Sequence, residues 1–208
     1  MSEKNSETNQ IDLRGLACPE PVLRTKKILD QNSKGNSPVS VLVDTDVTVK
    51  NLERLCSANN AQIIESQKIN DHFRVLIVPT SKESSIEEKK DGSKVGPVVF
   101  ISKNSFGTGS GSEDHDFSNH LLNMFLQSLL ATGHRIDAIL MANSGVKIMA
   151  ESPFKDVIAA FEAQNTKVFA CGLCVEYYKI KDQVPSDKIT NMFAICEYLM
   201  TAERVIEP

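Results

Sequence analysis

Apolar positions along the 208-residue chain change period several times, and each change marks an element. Ile11-Asp12-Leu13 alternates briefly and stops at Gly15, which predicts a strand and a turn. A helix is expected over about 19–30, because proline does no harm in a first turn, with Gly35 at its exit. Val39-Ser40-Val41-Leu42-Val43 reads as a second strand. Thr48 resembles an N-cap, and Val49, Leu52, Leu55 and Cys56 then share one helical face. Residues 62–66 and 73–78 predict a hairpin around Asn70-Asp71. The order βαβαββ is that of a two-layer α+β sandwich.

The second half carries a different pattern. Val98-Val99-Phe100-Ile101 is a continuous apolar run, typical of a strand buried on both faces. A broad apolar helix is expected over about 117–130 and another buried strand over 136–142. Ser152-Pro153 is expected to cap a helix whose Phe154, Val157, Ile158 and Phe161 recur at helical spacing. Further expectations are a strand over 167–170, a helix over about 174–180 and a short strand over 204–206. Ile189, Met192, Phe193, Cys196 and Met200 read as the buried stripe of a last helix. Alternating strands and helices predict a three-layer αβα domain on a mainly parallel sheet, an α/β arrangement whose chemistry sits outside the carboxyl ends of the strands.

Between the halves, residues 80–94 read TSKESSIEEKKDGSK, with Ile86 as the lone apolar side chain. Such a stretch cannot bury enough surface to offset its ordering entropy, which predicts a flexible linker. The divisions expected are a disordered tail over 1–9, a first domain over 10–79, the linker over 80–94 and a second domain over 95–208.

Composition narrows the function classes. Apolar residues make up 41% and charged residues 24%, an ordinary globular profile. Twenty-three bases against 27 acids leave −4, all of it arising in residues 95–208, so no electrostatic footprint for nucleic acid is present. No apolar run reaches the ~18 residues that a membrane span needs. The polar first ten residues and five cysteines predict a cytoplasmic, reducing setting, and the odd count argues against a pure disulfide framework.

The cysteines therefore carry the candidate chemistry. Cys56 and Cys196 lie in apolar stripes and read as small core side chains. Cys18 sits in Gly15-Leu16-Ala17-Cys18-Pro19-Glu20-Pro21-Val22, at the start of a helix whose open N–H groups favour a thiolate. Pro19 and Pro21 fix the backbone around it. No His or Asp stands near in sequence to act as a base, which suits a thiol that accepts and hands over sulfur. Cys171-Gly172-Leu173-Cys174 is a Cys-x-x-Cys between a strand and a helix. By spacing alone it fits a redox dithiol, half of a zinc site, a reactive pair or two packing thiols. Gly107, Gly109 and Gly111 form a loop whose G-x-G-x-G spacing departs from a phosphate cradle, so a mobile loop is the better reading. Glu113-Asp114-His115-Asp116 with His120 reads as a solvated helix start rather than a metal site.

Asp12-Leu13-Arg14-Gly15-Leu16-Ala17-Cys18-Pro19-Glu20-Pro21-Val22, followed by Lys26-Lys27, resembles the signature of TusA/SirA-like sulfur carriers. That resemblance implies that Cys18 carries a persulfide and passes it to a partner. Ala142-Asn143-Ser144-Gly145-Val146 with Glu151, Cys171-Gly172-Leu173-Cys174 with Tyr177-Tyr178, and Ile189-Thr190-Asn191-Met192 resemble DsrE-like domains. The combination resembles the YedF-like family of sulfurtransferase-like proteins linked to selenium metabolism. It implies a carrier or transferase relaying a cysteine persulfide or perselenide between partner proteins. Cys18 would be the acceptor, Cys174 the second relay cysteine and Cys171 the thiol that resolves it. Pro19 and Pro21, and Asn143, Ser144 and Gly145, would be the substrate or partner contacts.

The implied partners are a cysteine desulfurase-like donor and a protein acceptor, with no nucleic acid and no membrane. The second domain would mediate homo-oligomer formation. No metal is expected, and no cofactor apart from the covalently held chalcogen. Two other classes compete with this reading: a non-catalytic binding or regulatory module, and a Cys-x-x-Cys thiol–disulfide redox protein.

Overall fold

The structure, a computed structural model, describes residues 9–31, 37–80, 95–107 and 112–208. The expected tail apart from Asn9, Gly35, the linker beyond Thr80, and Gly109 and Gly111 lie outside the described residues. The chain divides into two compact units, Met1–Gly92 and Ser93–Pro208.

In the first unit, β1 (Asn9–Asp12) runs parallel to β2 (Val39–Val43). β4 (His72–Pro79) lies antiparallel to both β2 and β3 (Ala61–Ile69), giving the order β1-β2-β4-β3. The helices α1 (Glu20–Gln31) and α2 (Asp46–Ala58) complete the βαβαββ sequence. Val39, Val41, Val43, Val75 and Ile77 of the sheet are buried, as are Val22 and Leu29 of α1 and Leu52, Leu55 and Cys56 of α2. The hairpin turns at Asn70, whose φ of 54° lies in the left-handed region that Asn tolerates. One expectation is corrected. The N-cap of α2 is Thr45, not Thr48, and the Thr48 N–H donates to Thr45 Oγ1 at 3.2 Å. The cap accepts from the N–H three residues on, so the second threonine of the pair lies inside the helix.

The second unit is a five-stranded sheet of order β8-β7-β6-β5-β9, parallel throughout. Its strands are β5 (Val98–Ile101), β6 (Ala138–Met141), β7 (Lys167–Cys171), β8 (Ile189–Thr190) and β9 (Val205–Ile206). Its helices are α3 (Ser112–Ala131), α4 (Ser152–Ala163), α5 (Gly172–Tyr177) and α6 (Met192–Thr201). On one face Val98, Ala138, Leu140, Ala142 and Cys171 form a core cluster with Ile195 of α6. The alternate residues Val99, Ile101, Ile139 and Met141 are buried on the opposite face, so both faces are covered. Phe154, Val157, Ile158 and Phe161 are all buried on α4, as their spacing predicts, but the N-cap is Glu151, and Ser152 and Pro153 lie inside the first turn.

Two further expectations fail here. Ile189 belongs to a two-residue strand rather than to the helix after it. Ile195 supplies the buried face of α6, whereas Cys196 is exposed, in line with Met192 and with Met200, which is 85% exposed. This helix is apolar almost all round, so periodicity finds its turns without choosing its inward side.

The 3₁₀ segment Asn143–Met149 joins β6 to α4. Its Gly145 is pressed against β5, and a Cβ built there would collide with the Ile101 carbonyl oxygen and crowd its carbon at 2.8 Å. A buried glycine in such contact tolerates no side chain without backbone movement. Gly145→Ala is expected to destabilise the protein by about 1–3 kcal/mol, as overpacking does. Urea unfolding checks this, with a lowered midpoint and an unchanged slope as the expected result.

Candidate functional site

The Cys18 loop is built from the carboxyl ends of the parallel pair β1 and β2. Leu13 is buried, and its N–H donates to the Leu42 carbonyl at 3.0 Å, extending the ladder by one step. Gly15 then turns with φ of 72°, a conformation that suits glycine, and its N–H donates to Asp44 Oδ2 at 2.6 Å. Arg14 closes on Asp12 through Nε at 2.9 Å and Nη2 at 2.6 Å. That guanidinium holds the Asp12 carboxyl down at about 2, below its ordinary 3.8.

These contacts fix the path into α1. The Glu20 N–H donates to Ala17 O at 3.0 Å, and the N–H groups of Val22 and Leu23 donate to Pro19 O at 3.0 and 3.1 Å. Cys18 and Pro19 are half-buried and joined by a cis peptide bond, while Pro21 is buried in the first turn. Cys18 thus stands two residues before Glu20, at the end of the helix that favours negative charge.

In the second unit, Cys171 ends β7 and is the N-cap of α5, and Cys174 lies inside the first turn. The helix therefore opens at Gly172 and ends at Tyr177, earlier at both ends than the span of about 174–180 expected from the sequence. The two thiols differ in setting. Cys171 is 1% exposed within the core cluster, and burial pushes its thiol up from the ordinary value, with the nearby Cys174 sulfur adding to the effect. Cys174 is half-buried, and its Sγ accepts the backbone N–H of Asn143 at 3.1 Å. Asn143 adopts φ of 47°, and its side-chain Oδ1 accepts the Tyr178 hydroxyl at 3.0 Å. Lys147 Nζ stands 4.5 Å from the centroid of the Tyr178 ring. Leu173 and Tyr177 are exposed on either side of Cys174 in sequence. Of the expected contacts, Asn143 touches the sulfur, Ser144 is half-buried on the same turn, and Gly145 is occupied by packing.

Asn143 stands out in the sequence, but not as a donor to the sulfur, and neither the role of the Tyr178 hydroxyl nor that of Lys147 is legible there. The available signals are the paired tyrosines after the Cys-x-x-Cys and the Asn143-Ser144-Gly145 stretch. A second polar set joins the segment after β5 to α3 and α4. Asn104 Nδ2 and Asn119 Nδ2 donate to the two carboxylate oxygens of Glu151 at 3.1 and 2.9 Å. Among the described residues, no group of three or more His, Cys, Asp or Glu side chains is placed to hold a metal ion. Nor is any helix among them long and apolar enough to cross a membrane. The five cysteines are all described, and none is in a disulfide.

With this geometry in hand, comparison with known proteins identifies the first unit. Residues 9–78 match the sulfurtransferase TusA family. Over 68 residues the chain is 29% identical to a candidate sulfur carrier protein of Methanocaldococcus jannaschii, an overlap of 33% of this chain and 89% of that protein. It is 35% identical to the solved SirA-like protein of Desulfitobacterium hafniense, covering 36% of this chain and 100% of that one at a TM-score of 0.33. The solved ychN protein of E. coli is 16% identical, with 54% of this chain and 99% of that one aligned at a TM-score of 0.37. The N-terminal domain is a TusA/SirA-like sulfurtransferase domain.

Cys56 supplies a pH test of the fold around these sites. Burial pushes its thiol from the ordinary 9.0 up to about 12. The unfolded chain releases that proton at lower pH than the folded one, so this stabilisation is complete below about pH 9 and falls as pH rises toward 12. Cys56→Ala is expected to cost about 1 kcal/mol at about pH 8. Its deficit should close between about pH 9 and 10 and reverse to an advantage of about 1 kcal/mol at about pH 10.5, where wild type has lost about 2 kcal/mol from this group. Urea unfolding of both proteins at the two pH values checks the sign.

Proposed function

We propose that this protein is a sulfur carrier of the cytoplasm that takes sulfur onto Cys18 as a persulfide and delivers it to a protein acceptor. The observation that carries the reading is the position of Cys18, held before α1 within a TusA/SirA-like domain. The donor would be a cysteine desulfurase bearing its own persulfide. The Cys18 thiolate attacks the outer sulfur of the donor persulfide, a new S–S bond forms at Cys18, and the donor cysteine leaves as its thiolate. No cofactor beyond the transferred chalcogen is needed, and selenium would move by the same exchange as a perselenide.

The second domain extends this reading. Cys174 is the second carrier thiol, in the manner of YedF-like proteins, since it combines access with a hydrogen bond to its sulfur. Cys171 is the resolving thiol: its thiolate would attack the Cys174 sulfur of a persulfide there, forming a Cys171–Cys174 disulfide and releasing hydrosulfide. Burial opposes that thiolate and so slows this step. The same burial weighs against a dithiol that cycles readily between reduced and oxidised forms. Copies of the chain would associate through the second domain.

The test uses the full chain with a cysteine desulfurase and cysteine, followed by peptide mass measurement. A gain of about 32 mass units is expected on Cys18, the size of one added sulfur. Cys18→Ser should remove that adduct while the protein stays folded, and Cys56→Ala should retain it. Cys174→Ser should remove only the adduct of the second domain. A wild-type chain that gains no adduct on either cysteine would favour a non-catalytic binding module.

A further inference from the structure

We propose that Tyr178 is a positioning residue for Cys174: its hydroxyl holds the Asn143 side chain, and through it keeps the Asn143 N–H aimed at the sulfur. The inference rests on the reading of Cys174 as a reactive thiol. Three observations meet at this point. The Asn143 N–H reaches Cys174 Sγ at 3.1 Å, although Asn143 is otherwise exposed at the start of its 3₁₀ segment. Its backbone sits at φ 47°, a conformation that costs an ordinary residue more than asparagine and that needs support from its surroundings. That support comes from the far end of α5, where Tyr178 donates to Asn143 Oδ1 at 3.0 Å.

The clamp is closed on itself. The Tyr178 N–H donates to the Cys174 carbonyl at 2.9 Å, so one short helix carries both the thiol and the group that orients its donor. Tyr177 stands edge-on to the Tyr178 ring, with centroids 5.0 Å apart, and Lys147 from the 3₁₀ segment covers the ring at 4.5 Å. These contacts limit the rotation of Tyr178 and fix where its hydroxyl points. A hydrogen bond donated to sulfur stabilises negative charge there, both in the thiolate that attacks and in the thiolate that departs when sulfur is handed on. Without the Tyr178 hydroxyl, the exposed Asn143 side chain loses its partner and the N–H is free to swing away.

The experiment compares full-length wild type, Tyr178→Phe, Asn143→Gly and the double variant. The rate of iodoacetamide alkylation is read at Cys174, with exposed Cys196 in the same molecule as reference. Tyr178→Phe keeps the ring and its Lys147 contact, and should slow Cys174 about 3- to 10-fold, the size of a lost neutral hydrogen bond. The Cys196 rate should not change. Asn143→Gly retains the N–H and the left-handed backbone but lacks the carboxamide, so it should slow Cys174 similarly. Adding Tyr178→Phe to it should have no further effect. In ¹⁵N-labelled protein, the Asn143 amide resonance should move in Tyr178→Phe, a response that a packing role for the ring would not produce. A Cys174 rate in Tyr178→Phe within twofold of wild type, or an unmoved Asn143 amide, overturns the inference while leaving the carrier reading intact. A wild-type Cys174 that fails to alkylate where Cys196 reacts overturns the carrier role of Cys174 itself.

Discussion

The contact between Gly145 and the Ile101 carbonyl sets the geometry of the second domain's thiol site. That oxygen already accepts the Ala142 N–H at 3.0 Å, so it anchors the chain where it leaves β6. The absence of a side chain at Gly145 then lets the 3₁₀ segment lie flat against the end of β5. With both points fixed, Asn143 is placed between them, and its backbone turns the N–H toward the neighbouring strand's helix. A bulkier residue at 145 would lift the whole segment, and the 3.1 Å approach of Asn143 to Cys174 would be lost with it. Local packing and the setting of the Cys174 thiol are thus linked through one carbonyl group.

Five cysteines in one chain show how setting, rather than residue type, separates their chemistry. Cys56 and Cys171 are both buried, and in each case loss of water around the sulfur disfavours the thiolate. Cys174 is only three residues from Cys171, yet a single helical turn moves it from the core to a half-buried position beneath a backbone donor. Cys18 is half-buried at a proline-flanked entry into a helix. Cys196 is exposed on a helix that packs through Ile195.

Much of this was legible in the sequence because it depends on local rules. The apolar runs at Val39 and Val98, the helical spacing of Phe154, Val157, Ile158 and Phe161, and the Cys-Pro-x-Pro stretch all declare themselves without tertiary information. The misreadings fall where distant residues decide. Met192, Cys196 and Met200 have the right spacing for a helix, but only packing against the sheet selects Ile195 as its inner face. Two residues, Ile189 and Thr190, form a strand because β7 lies beside them, and so short a run has no pattern of its own. The Asn143–Cys174 bond joins residues 31 apart, and neither residue type foretells it.

The two halves share no sheet topology, yet each places a cysteine at the same kind of junction. A parallel strand pair cannot be joined by a tight hairpin, so the chain leaves a strand end and enters a crossover, usually helical. At that exit the first N–H groups of the helix have no partner within it, and backbone donors stand open at the carboxyl edge of the sheet. Cys18 follows β1, which pairs in parallel with β2, and Cys174 follows β7, which pairs in parallel with β6. The first site steadies its exit with side chains, Asp12 on Arg14 and Asp44 on Gly15. The second uses the Ile101 carbonyl and the Asn143 N–H, with the Tyr178 hydroxyl on the Asn143 side chain. A strand-to-helix exit in a parallel pair therefore places a thiol beside backbone donors that the helix itself leaves open, and the surrounding fold has only to hold the exit still.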